Sequence, residues 1–166
     1  MCKLHPMAYG LSIKKELLNE IHHASSSHKK LTRRLEHLID NLPISIEQFP
    51  SDLNHTGFAE WFFSRSIQFK KYPQMKENLT QMENIYRELR YTYQTIYTLY
   101  AHKRRKLSWV GTFLYGKNGL FSSKERETAR QTYRQFEALS RELLKLTDRF
   151  EAHLAIQPNE NLLIFI

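Results

Sequence analysis

One cysteine, five glycines and five prolines in 166 residues close off several common architectures. Cys2 has no partner within the chain, so no internal disulfide forms, and a reducing compartment is expected. So few turn-forming residues cannot punctuate the many short strands of a sandwich or barrel, which argues against an all-β chain. No apolar run approaches the length that spans a bilayer; the longest is Leu162 to Ile166. No apolar stretch of the kind that forms a secretory signal precedes Lys14, Lys15 and Glu16, so a cytoplasmic protein is expected, with export by a non-classical bacterial route left open. Catalytic signatures are missing too. There is no His-Glu-x-x-His, no phosphate-binding Gly-x-x-x-x-Gly-Lys-Ser/Thr loop, no Gly-x-Ser-x-Gly elbow and no repeated Glu-x-x-His of a di-iron bundle. Gly116-Lys117-Asn118-Gly119 reads as a turn, and Glu47 and Asp52 fall in a connection where two acids are ordinarily solvated. A non-catalytic protein without a cofactor is therefore expected.

What is present is helix pattern. With 41 % hydrophobic and 25 % charged residues the composition is that of a globular chain, and the length suits one domain over residues 1–166. From Pro73 the residues Met75, Leu79, Met82, Tyr86, Leu89, Tyr93, Ile96 and Tyr100 alternate in steps of four and three, the stripe of one long helix over about Tyr72 to Lys106. Leu17, Ile21, Ala24, His28, Leu31, Leu35, Leu38 and Leu42 make a second such stripe, stopped by Pro43. Ala129, Thr132, Phe136, Leu139, Leu143, Leu146, Phe150 and His153 make a third, opened by the capping box Ser122 and Glu125 and closed by Pro158.

Two short aromatic helices are expected between them, about Phe58 to Arg65, with Trp61, Phe62 and Phe63, and a second around Trp109 to Tyr115. The fold expected is an all-α, elongated antiparallel bundle of three long helices, with the short helices filling the fourth side. Residues 1–10 read as a loose arm, with the first helix starting near Leu11 or Ser12, and residues 157–166 as an apolar tail. So long and thin a bundle is expected to complete its core as a homodimer. The halves resemble each other: Trp61-Phe62-Phe63 and Phe113-Leu114-Tyr115 lie 52 residues apart, Arg87-Glu88-Leu89 and Arg141-Glu142-Leu143 lie 54 apart. Duplication and convergent hairpins account for this equally well.

Net charge is +8, which raises the question of an anionic partner. The densest cluster, Lys103-Arg104-Arg105-Lys106 after His102, sits where a long helix ends, and cations there are favoured by the helix dipole at about 0.3–1 kcal/mol each. A solvated helix end is the simpler reading, ahead of nucleic-acid binding. Protein partners are the expected ones, with Trp61, Phe62 and Trp109 on the aromatic helices and Leu162, Leu163 and Phe165 on the tail as docking residues.

One constellation points to chemistry. His28 lies on a core stripe and must find a partner inside, either the Thr56 hydroxyl or Glu83. The order of His28 with Leu31, then Thr56-Gly57-Phe58-Ala59-Glu60-Trp61, then Glu83 and Arg87, resembles the chemoreceptor zinc-binding family, a bacterial four-helix signalling module. That family carries a His on its first helix, a Cys-x-Leu-Gly-x-Trp motif, and a later His-x-x-x-His pair. The resemblance spans about residues 15–100 and puts Thr56 at the Cys position and Glu83 and Arg87 near the two final His positions. It implies a regulatory or sensory module whose zinc site has lost ligands, since a closed zinc site needs four donors. A rearranged site of His28, His55 and Glu83 is the metal arrangement the residues allow, with a core His28 and no metal the favoured alternative. Arg87 at the old metal position would then supply a buried cation. The other function class that suits the chain is a secreted helical effector or adaptor.

Overall fold

The structure, a computed structural model, describes residues 6–40, 44–106 and 121–158, with side chains described for all of these except 6–10, 74 and 103–106. Four α-helices account for most of them: α1 (Pro6–Ile39), α2 (Gly57–Phe69), α3 (Pro73–Lys106) and α4 (Ser123–Ile156). Short 3-10 turns at Ile46–Gln48 and Leu53–His55 lie in the connection after α1, and no strand occurs among the described residues. The chain is all-α. The second aromatic helix around Trp109 and the apolar tail beyond Pro158 lie outside the described residues.

Each long helix has 34 residues, about 51 Å at 1.5 Å per residue. α1 starts five residues ahead of the expected Leu11, which corrects the reading of 6–10 as a loose arm. Pro6 is its first residue, where the missing N–H costs nothing, and Gly10 is carried inside the helix at a cost of about 1 kcal/mol. α2 runs four residues beyond the expected Arg65, capped at its start by the Thr56 side chain, which accepts from the Ala59 N–H. α4 opens on the expected capping box: the Glu125 N–H donates to Ser122 Oγ at 3.2 Å, and the Ser122 N–H to Glu125 Oε2 at 2.8 Å.

The stripes on α1 and α3 are buried as their spacing requires from Leu17 to Leu38 and from Met75 to Ile96, Tyr100 is only half-buried, and Leu42 lies outside the described residues. On α4 the buried seam leans to one side. Tyr133, Ser140, Thr147 and Leu154 are buried where Thr132, Leu139 and His153 were expected to be. Small polar residues let the neighbouring helix approach, and their hydroxyls are satisfied locally: Thr147 donates to the Leu143 carbonyl at 2.9 Å, and Thr32 of α1 reaches Ser140 at 3.5 Å.

α4 packs along α3 and along α1, and α2 packs on α1. Lys14 Nζ donates to the Ala155 and Gln157 carbonyls at 3.0 and 2.6 Å, and His22 meets Glu151 at 3.0 Å. α3 is tied to α4 by Asn78, whose amide donates to the Leu146 carbonyl at 2.9 Å.

Residues 44–56 act as a strap that bridges α1 and α3. Ile46, Phe49 and Leu53 are buried. Arg34 of α1 donates to the Gln48 carbonyl at 2.7 Å, and its guanidinium lies over the Phe49 ring. On the other side α3 offers two phenols: Tyr86 donates to the Leu53 carbonyl at 2.7 Å and Tyr93 to the Pro50 carbonyl at 2.6 Å. The register follows from geometry. Seven residues of α3 rise about 10.5 Å, and the phenols at that spacing meet strap carbonyls three residues apart. Arg90, between them, holds Asp52 with two bonds of 3.1 and 2.7 Å.

Candidate functional site

The strap ends at Thr56, where α2 turns across α1, and His28 lies at that junction. α2 approaches closely there because Gly57 has no side chain; a Cβ on it would lie 3.0 Å from Ser27 Oγ. His28 is 1 % exposed. Its ring centroid is 5.5 Å from that of Phe58 on α2 and 6.2 Å from that of Phe136 on α4. Phe58 in turn meets Trp61, Phe62 and Tyr86, while Phe136 meets Tyr93 of α3. Neither imidazole nitrogen has a hydrogen-bond partner among the described residues. Burial lowers the His28 pKa to about 4, so the ring is neutral at pH 7.

The partners expected for His28 are engaged elsewhere. Thr56 Oγ1 donates to the Leu53 carbonyl at 2.8 Å and accepts from the Ala59 N–H at 3.4 Å, so its hydroxyl serves the strap and the α2 cap. Glu83 faces solvent and lies 3.8 Å from Lys70. His55 is exposed at the end of a 3-10 turn. His28, His55 and Glu83 are not brought together, and no three His, Cys, Asp or Glu side chains among the described residues are placed to hold a metal ion. Arg87 is exposed on α3, which corrects the expectation of a buried cation in the core.

Trp61 and Phe62 also change role. They are 7 % and 2 % exposed and belong to the ring cluster around Phe58 and Phe150, so they are core and not a docking surface. The apolar residues α2 does expose are Phe63 and Ile67, one turn apart and 53 % and 69 % exposed. Spacing alone cannot separate these two sets, because a helix with aromatics on every side reveals its inner face only through its neighbours. Trp109, Leu162, Leu163 and Phe165 lie outside the described residues, and Lys103 to Lys106 form the last turn of α3 with side chains that are not described.

Sequence reasoning missed the strap clip. The signal for it was present in Tyr86, Arg90 and Tyr93, three residues with polar tips on one side of a core helix. Two cavities open between the long helices. One of about 600 Å³ lies between α3 and α4, lined by Gln81, Arg141, Glu142, Lys145 and Arg149 among others. The other, of about 300 Å³, lies between α1 and α4 and pairs Glu36 and Asp40 with Arg130 and Arg134. Each mixes both signs of charge. No helix among the described residues is long and apolar enough to cross a membrane. No protein-family profile, curated protein or solved structure matches this chain.

Proposed function

We infer that this chain is a non-catalytic helical module of a regulatory or sensory kind that works through contact with protein, including a second copy of itself. Its plan is that of an elongated antiparallel bundle, similar to the bacterial chemoreceptor zinc-binding domain but without that domain's metal chemistry. Three pairs of contacts support the antiparallel plan: Lys14 with Ala155, His22 with Glu151 and Thr32 with Ser140, in which the α4 number falls as the α1 number rises. The single observation that carries the interaction reading is the exposed pair Phe63 and Ile67 on α2, set directly outside a buried aromatic cluster. Apolar side chains a turn apart on a short exposed helix are a usual anchor for a partner.

Sedimentation of the full chain, compared with a Phe63→Ser, Ile67→Ser variant, tests this reading. A dimer that the double variant dissociates is expected. A monomer for both chains would remove the homodimer. For the loss of metal chemistry, elemental mass spectrometry of freshly purified protein is expected to find metal far below one ion per chain. Zinc near one per chain, lost in His28→Ala, would overturn that part.

A further inference from the structure

We propose that His28 is an acid trigger: protonation of its ring unseats the first turn of α2 from α1 and α4 while the long helices stay together. The ring sits where three elements meet, and its surroundings offer nothing to a proton. On α1 itself, the neighbouring Thr32 hydroxyl is turned to the His28 carbonyl oxygen, at 3.1 Å, and not to the ring. From α2 the ring meets Phe58, and from α4 it meets Phe136. α3 reaches the same layer through Tyr86 against Phe58 and Tyr93 against Phe136. These phenols are the titratable groups of that layer. Both donate to strap carbonyls, and burial pushes both up, so they remain neutral and spent. No carboxylate, ammonium or guanidinium contributes to the shift of His28; burial is its cause.

An imidazolium has two N–H donors and a charge, and this box satisfies neither. Water is the partner it needs, and the easiest route to water passes Phe58. Phe58 is the closest ring and the second residue of a helix of only 13 residues. α2, at 13 residues, packs on α1 and sets rings against Tyr86 of α3 and Phe150 of α4, whereas α3 and α4, at 34 residues each, pack along their length. Release of α2 therefore frees the ring at the smallest loss of packing.

The direction with pH follows from linkage. The unseated imidazole titrates near 6.5 and the seated one near 4, so the open state binds more protons between those values. Seating is at full strength above about pH 6.5 and weakens as pH falls. It drops about 30-fold by pH 5 and about 160-fold by pH 4.

Amide hydrogen exchange on the full chain, with rates corrected for the intrinsic pH dependence of exchange, reads this opening directly. Protection of the segment 57–69 is expected to fall about 30-fold between pH 7.5 and pH 5. Segment 75–96 of α3 is expected to hold its protection, and His28→Phe, which keeps a ring that cannot titrate, is expected to abolish the fall. Should His28→Phe fail to fold, His28→Met makes the same comparison. Flat protection of α2 in the unaltered chain, an equal fall in the non-titrating variant, or an equal fall in α3 would each overturn the proposal.

Discussion

Two consecutive segments lie against α1 and α3, and they are held by different means. α2 is held by rings: Phe58, Trp61, Phe62 and Phe69 are buried against Tyr86, Phe150 and His28. The strap before it buries Ile46, Phe49 and Leu53 and is held through its backbone as well, by phenol and guanidinium donors to the carbonyls of Gln48, Pro50 and Leu53. The difference arises from what each conformation leaves unpaired. A helix satisfies its own amides and carbonyls, so only its side chains need neighbours. An extended segment without a sheet has carbonyls that another element must satisfy. α3 does so with tyrosine where leucine would have filled the same stripe. Tyr86 serves both segments at once, with its ring against Phe58 and Phe62 and its hydroxyl on the strap.

The comparison breaks most visibly at Phe58. Phe58→Ala removes the ring at the centre of the cluster, and a loss of about 3–5 kcal/mol in urea unfolding is expected. Tyr86→Phe and Tyr93→Phe keep the rings and delete only the hydroxyls, so each is expected to cost about 1 kcal/mol. If Tyr86→Phe matched Phe58→Ala, the hydroxyl and not the ring would be holding α2, and the distinction between the segments would fail. The smallest effect belongs to the Asp52 clip. The Arg90 side chain, then the Asn54 N–H, hold the Asp52 carboxyl below its usual range, so the charged clip is present above about pH 4 and is lost as the carboxylate protonates. Arg90 is exposed and Asp52 partly so, and Asp52→Asn is expected to change stability measurably at low salt and hardly at all at 1 M salt.

Much of this fold is legible in the residues. The α1 and α3 stripes predict the centre of their buried faces from Leu17 to Leu38 and from Met75 to Ile96, because a four-three alternation of bulky side chains admits one inner face. α4 is less legible, since Ser140 and Thr147 look like surface residues until a close helix makes small size an advantage. The strap is illegible for a different reason. Its stability rests on bonds 33 and 43 residues away in sequence, at Tyr86 and Tyr93, and no local pattern in 44–56 announces them. The candidate site shows the same divide. That His28 is buried could be read from its place on the stripe, but that Thr56 and Glu83 are committed elsewhere could not.

The pairing of Lys14 with Ala155 and Gln157 sets an order of assembly. α1 finds its long neighbour in a helix that is translated more than 80 residues after α1 ends, and the strap waits for α3 before its carbonyls are capped. During synthesis, α1 and α2 therefore emerge with their apolar faces together but incomplete. α4, made after the other described helices, covers both α1 and α3, so a ribosome stalled before α4 is expected to hold those faces exposed and aggregation-prone.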